Sequence, residues 1–273
     1  MIINKFKKLY RFIQSQLALF DVLEDIKKLP NASGRLKRVR LEIAAHIFNK
    51  TDGYVFSGPL STLRIIPASN LSRSPAILVG CYEQEIHPIL NRIIAQPPSV
   101  VIDIGTSLGY YIAGLATAMP STRLIGFETI DEYRAQAAEL VRYNNVEHQI
   151  TLHGHCGVPE LKAILEKGAF ILCDCEGGEV ELLDPEQVPG LKYATILCEV
   201  HDFFVPGAGG LLVERFKNSH HIEWIDEQGR DPWDYRILHG FPEEMVRYAI
   251  GETRHVAGGR TTALRFMFLE PKE

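Results

Sequence analysis

Apolar positions recur at helical spacing in the first part of this chain and in short β-branched runs through the rest. Over residues 2–29, Phe6, Leu9, Tyr10, Phe12, Ile13, Leu17, Phe20, Leu23 and Ile26 fall mostly three or four apart, the period of an amphipathic helix. A second helix is predicted over 36–48, after the break at Asn31-Ala-Ser-Gly34. Residues 53–58 and 61–66 read as a strand pair joined by a Gly-Pro turn, and 67–75 as a polar linker. Residues 83–95 read as a helix with Ile86, Ile89, Leu90, Ile93 and Ile94 on one face, ended by Gln96-Pro-Pro98.

From Val100 onward the pattern changes. Apolar runs at 100–104, 123–127, 150–153, 170–174 and 195–200 alternate with helical stretches at 110–119, 131–144, 158–166 and 179–183. Such alternation predicts right-handed βαβ units and a parallel sheet covered on both faces. Two further runs, 221–225 and 263–269, read as strands that close the sheet. The expected fold is therefore α/β: a doubly wound, mostly parallel seven-stranded sheet over residues 80–273. A helical and β-hairpin extension, residues 1–79, precedes it.

Composition narrows the class. The chain has 273 residues, 46% hydrophobic and 23% charged, which is enough for a sizeable core. A net charge of −5 offers no bulk attraction for nucleic acid. The five cysteines, Cys81, Cys156, Cys173, Cys175 and Cys198, are odd in number and sit in apolar runs, which argues against a disulfide framework. Cys173 and Cys175 are one residue apart, too close for the usual zinc pair, and read as strand packing. No structural zinc is expected, and reduced thiols suit the cytoplasm.

No run of about 18 apolar residues predicts a transmembrane helix. The basic start at Lys5, Lys7 and Lys8 leads into a run broken by Gln14, Gln16 and Asp21, unlike a signal peptide. With Arg11, these lysines could rest a helix on an anionic membrane surface. Packing on the body of the protein, or on a second copy in a homodimer, is the preferred reading.

Four segments carry candidate chemistry. In Val100-Val-Ile-Asp-Ile-Gly-Thr-Ser-Leu-Gly-Tyr-Tyr111, a buried strand delivers Asp103 and then a glycine turn into a helix. Glycine lets backbone approach a ligand closely, and ligands of open α/β sheets bind at the carboxyl ends of strands. An acid at such a turn can bind a cationic amino group. The spacing Gly105-x-x-x-Gly109 disfavours a nicotinamide dinucleotide, which wants G-x-G-x-x-G. Glu128 ends the next strand about twenty residues on, the place for an acid that binds ribose hydroxyls. Taken alone it would also suit a helix N-terminal charge; the preceding turn favours ribose. In Phe170-Ile-Leu-Cys-Asp-Cys-Glu-Gly-Gly-Glu179, Asp174 and Glu176 leave a buried strand together. Paired carboxylates beside a cleft bind a cation, a substrate or a proton, or are simply solvated. In Thr195-Ile-Leu-Cys-Glu-Val-His-Asp202, Glu199, His201 and Asp202 end the next strand, where a histidine beside Asp174 and Glu176 could act as a base.

In this order the segments resemble class I S-adenosylmethionine-dependent methyltransferases, and more closely the FkbM-type family. The resemblance rests on the opening at 100–111, the Phe127-Glu128 strand end, the Asp-x-Glu-Gly-x-Glu turn at Asp174, Glu176, Gly177 and Glu179, and the Glu-x-His at Glu199 and His201. The Gly80-Cys-Tyr-Glu83 segment is similar to the family's lead-in helix. Two positions depart: Ser107 stands where many such enzymes have glycine, tolerable with a negative φ, and Thr129 replaces a usual proline. Residues 1–79 match nothing in that pattern.

The resemblance implies S-adenosyl-L-methionine as cofactor, held by Tyr82, Glu83, Asp103, Gly105, Ser107, Gly109, Glu128 and Asp174. It implies methyl transfer to a hydroxyl of a sugar, glycan or other natural product. His201 is the first choice of base, with Asp174 or Glu176 assisting. One alternative is a metal-assisted O-methyltransferase using Asp174, Glu176, Glu199 and Asp202 as oxygen ligands for Mg²⁺. Another is a non-catalytic S-adenosylmethionine-binding module. Acceptor contacts are expected from the extension and from 203–262, which holds Phe203, Phe204, Trp224, Trp233 and Tyr235; such aromatics can stack on sugar faces, but ordinary core packing is the preferred reading for most of them.

Overall fold

The computed structural model describes residues 32–251 and 265–272, so the basic amphipathic segment predicted over 2–29 lies outside it. Seven strands form one sheet: β1 (Val100–Ile104), β2 (Arg123–Phe127), β3 (Ile150–His153), β4 (Phe170–Cys173), β5 (Thr195–Val200), β6 (His220–Asp226) and β7 (Arg265–Pro271). Their order is β3-β2-β1-β4-β5-β7-β6. Strands β1 to β5 are parallel. β7 is inserted antiparallel between β5 and β6. The chain winds outward from β1 to β3, then returns to place β4 on the other side of β1. That reversal is a topological switch point, and its carboxyl edge is where such sheets take ligands.

Alternation along the strands builds two apolar layers. Val101, Phe170, Leu172 and Leu197 face one layer, and Ile102, Ile171, Cys173 and Cys198 the other. The second layer is covered by α6 (Val158–Ile164), α7 (Glu179–Leu182) and α8 (Ala208–Phe216). The first is covered by α3 (His87–Ala95), α4 (Tyr110–Ala118), α5 (Asp131–Tyr143) and α9 (Glu243–Ile250). It also receives α1 (Ala32–Thr51) and α2 (Pro75–Val79). Among the described residues no helix is long and apolar enough to cross a membrane.

Three local expectations need correction, all before β1. The strand pair over 53–66 is reduced to a single antiparallel bridge, Tyr54 to Arg64. The Phe56 amide donates to the Leu78 carbonyl of α2 at 2.8 Å rather than across the hairpin, and Val55, Leu60, Leu63 and Ile65 turn into the core. The linker over 67–75 contains a 3₁₀ turn, Leu71–Arg73, and leads into α2, where the Ser74 hydroxyl accepts from the Ile77 amide. The helix predicted over 83–95 begins only at His87, after a 3₁₀ turn at Gln84–Ile86. Pro88 falls in its first turn, where a missing N–H costs nothing.

Candidate functional site

A cleft of about 400 Å³ opens at the switch point. Gly105 and Ser107 after β1, Glu128 after β2, and Asp174 and Glu176 after β4 line its polar side. Phe127, Ile130, Tyr133 and Leu182 supply apolar wall. Gly105 makes the edge possible. Its φ is +92°, and a Cβ there would sit 1.6 Å from the Asp174 carbonyl oxygen, so β1 and β4 leave the sheet in direct backbone contact.

The loop after β1 is organised by the acid after β2. One oxygen of Glu128 accepts from the Ser107 amide at 2.8 Å and the other from the Ile130 amide at 2.7 Å. A carboxylate oxygen has a second lone pair, so both can still receive a ligand hydroxyl. Ser107 lies at φ +49°, so the negative φ under which serine would replace glycine without strain is not met. The left-handed turn is what aims its N–H at Glu128, at a cost of about 1 kcal/mol or more.

Asp103 stands one step behind the cleft wall, 2% exposed, with Oδ2 lacking any hydrogen-bond partner. Burial, with the charges of Asp174 and Glu128 adding to it, pushes its carboxyl up to about 8. Gly109 is also off the cleft. Its φ is +88°, and its bare face lies against Ala137 of α5, where a Cβ would meet backbone at 2.8 Å. Tyr82 and Glu83 do not line the cleft either. The Glu83 carboxylate accepts from the Tyr111 hydroxyl, and the Tyr82 ring packs edge-on to Tyr110, with centroids 5.8 Å apart.

The second half of the site lies at the ends of β4 and β5, which pair in register from Phe170 with Thr195 to Cys173 with Cys198. His201 is buried among carboxylates. Its Nε2 lies 3.6 Å from Asp174 Oδ1, 3.5 Å from Glu176 Oε2 and 3.9 Å from Glu199 Oε2. Its Nδ1 lies 3.3 Å from Glu179 Oε1, close enough to pair but not aligned as a hydrogen bond. Burial pushes the His201 pKa down, but Glu179, Asp174 and Glu176 together outweigh it and the net shift is upward.

Glu179 closes the Asp-x-Glu-Gly-x-Glu turn, and its role is not visible in the sequence pattern. It is fully buried, yet its oxygens accept from the Gly177 and His201 amides at 2.8 Å. Burial alone would raise its pKa; His201 and these N–H groups hold it below the usual carboxylate range. Glu179 thus fixes both the turn after β4 and the residue after β5. Asp202, grouped with these acids in the metal-assisted alternative, points elsewhere: its Oδ1 accepts from the Gly209 amide in the first turn of α8.

The cysteines and aromatics sort by burial. Cys173 and Cys175 approach to 3.5 Å between sulfurs, and all five thiols are free. Burial pushes Cys156 up to about 12, and the contact with Cys173 and burial push Cys175 up, so both thiols beside the cleft stay protonated. Tyr235 is buried and Trp224 lies under Arg265, whereas Phe203, Phe204 and Trp233 are exposed. Phe204 sits over His201 with ring centroids 5.8 Å apart.

No family model matches the chain, and no curated protein does. Solved structures give similar frames. The O-methyltransferase TomG from Streptomyces achromogenes, in complex with SAM, is 15% identical; the match covers 85% of this chain and 89% of that one, with a TM-score of 0.42. An O-methyltransferase from Bacillus cereus, in complex with SAH, is 11% identical over 93% and 97% of the chains, with a TM-score of 0.45. The METTL16 MTase domain is 18% identical over 90% and 88%, with a TM-score of 0.48.

Proposed function

We propose that the protein transfers a methyl group from S-adenosylmethionine to an oxygen acceptor. The observation that carries this reading is the convergence of three strand ends on one cleft: the Gly105–Ser107 loop, the Glu128 carboxylate and Asp174. Glu128 would take the ribose hydroxyls, the apolar wall at Phe127, Ile130 and Tyr133 suits adenine, and Asp174 offers a negative charge to the cationic end of the cofactor, joined by Asp103 once that cation expels its proton. In the step itself the acceptor oxygen bonds to the methyl carbon as the C–S bond of the sulfonium breaks. S-adenosylhomocysteine leaves as a neutral thioether, and the acceptor hydroxyl gives up its proton. Most of the acceleration comes from holding oxygen, carbon and sulfur in line.

His201 and its carboxylates stand beside this cleft, on the side where a hydroxyl has to lose its proton. The resemblance to FkbM-type enzymes narrows the acceptor to a sugar, glycan or related natural product, and exposed Phe203 and Phe204 offer ring faces for one. Isothermal titration with S-adenosylhomocysteine tests the reading: one site per chain is expected. No heat at millimolar ligand with folded protein overturns it. Binding without transfer to any hydroxyl acceptor favours the non-catalytic module instead.

A further inference from the structure

We propose that Asp174, Glu176 and His201 form a divalent-cation site at the carboxyl edge of β4 and β5. What the cation would do rests on the methyl-transfer reading; whether it binds does not. One ligand atom from each of the three residues lies within 4.8 Å of the others. The separations from His201 Nε2, 3.6 Å to Asp174 and 3.5 Å to Glu176, are too long for charge-assisted hydrogen bonds, which run at about 2.7–2.9 Å. They fit ligands of a shared ion: two atoms each about 2.1 Å from a metal at a tetrahedral angle lie roughly 3.4 Å apart.

The histidine makes this more than a patch of acids. Its side chain is 5% exposed, and Nε2 points at the two carboxylates. Behind it, Glu179 lies 3.3 Å from Nδ1 and is itself held by two backbone amides. The distal nitrogen of a metal-bound imidazole usually donates to such a carboxylate, and Glu179 stands at that position, although the contact is not now aligned as a hydrogen bond. Glu199, 3.9 Å from Nε2, offers a further oxygen. One imidazole with two or three carboxylates favours a first-row transition ion over Ca²⁺ or Mg²⁺. Asp174 and Glu176 also line the cleft, so an acceptor hydroxyl could complete the coordination. Bound there, its proton would leave more readily to solvent, and His201 would serve as a ligand and not as the base.

The test uses the full chain, stripped with EDTA and titrated with Mn²⁺ in the absence of cofactor. Free Mn²⁺ is followed by electron paramagnetic resonance and binding heat by calorimetry. One saturable site per chain is expected, weakened at least tenfold by His201→Ala and by Asp174→Asn. Should the buried His201 variant fail to fold, Glu176→Gln carries the same expectation, because that side chain is 71% exposed. Asp202→Asn, which alters the α8 contact and not the cluster, should leave the affinity unchanged. No saturable binding at millimolar Mn²⁺ by folded protein overturns the site. So does wild-type affinity in both His201→Ala and Glu176→Gln, which would leave an imidazolium ion-paired with its neighbours. Mn²⁺ binding without S-adenosylhomocysteine binding would keep the site and remove the methyl-transfer reading; the reverse would do the opposite.

Discussion

Glu128 has two tasks on one carboxylate. It holds the Ser107 and Ile130 amides now, and it faces the cleft with lone pairs to spare. Glu128→Ala should weaken S-adenosylhomocysteine binding by about 10- to 100-fold, the loss of charge-assisted bonds worth about 1.5–3 kcal/mol each before compensation. Calorimetry beside circular dichroism checks this, and unchanged affinity in a folded variant would leave Glu128 as a brace for the loop alone. Asp103 gives a prediction in pH. Its folded pKa is raised to about 8, so its contribution to stability is fully present below the ordinary 3.8 and is lost as pH rises through 8. Between those limits the unfolded chain has released a proton that the fold retains, so stability falls with pH. Asp103→Asn should flatten that fall, measured as urea midpoints from pH 5 to 8. A cationic ligand beside Asp103 should also expel its proton near pH 7, so the binding heat should vary with the ionisation enthalpy of the buffer.

At the scale of elements, the central strands β1, β2, β4 and β5 were legible because strands buried on both faces write themselves as nearly unbroken apolar runs that end in a polar residue. The region before β1 was harder to read. Val55, Leu63 and Ile65 alternate as a strand would, but the amide of Phe56 pairs with α2, a partner no local pattern announces. The site was legible by halves in the same way. Glu128, Asp174, Glu176 and His201 each end a strand and could be found singly. Glu179 could not, because its role depends on β4 and β5 being neighbours, and the φ of Ser107 depends on the carboxylate it must face. Gly105 tests the element that matters most. Gly105→Ala should destabilise the fold by at least about 3 kcal/mol, since a left-handed φ and a 1.6 Å overlap with the Asp174 carbonyl cannot both be relieved without parting β1 from β4. Ser107→Gly should act oppositely, raising stability by on the order of 1 kcal/mol while leaving cofactor affinity intact, because its amide keeps Glu128. Thermal denaturation of the two variants side by side separates a glycine that packing requires from a serine that only tolerates its turn.

For the whole molecule, the question is how far the segment before residue 80 can be separated from the sheet. The sequence reads as an extension followed by a domain, but the apolar layer does not break at that point. Ile43, Ile47, Leu60, Leu63 and Ile65 are each 2% exposed or less and belong to the same layer as α4 and α3. Leu60 reaches the surface of α4 so closely that a Cβ at Gly114 would meet its side chain at 2.8 Å. Asn144, at the end of α5, accepts from the Arg64 amide and donates to the Arg64 carbonyl, both at 2.9 Å, tying the segment to the β2–β3 crossover. Burying a large aliphatic side chain is worth about 1.5–3 kcal/mol, and whole domains are stable by only about 5–15 kcal/mol. Losing five such side chains, and leaving bare the surfaces of α3 and α4 they cover, is comparable to everything that holds the fold. A fragment of residues 80–273 should therefore fail to show a cooperative unfolding transition and should aggregate, while the full chain melts in one step over the sheet and residues 32–79 together. Urea titrations followed by tryptophan fluorescence and far-ultraviolet circular dichroism on both proteins check this. A fragment that melts sharply and binds S-adenosylhomocysteine as the full chain does would show that the segment only rests on a sheet able to stand without it.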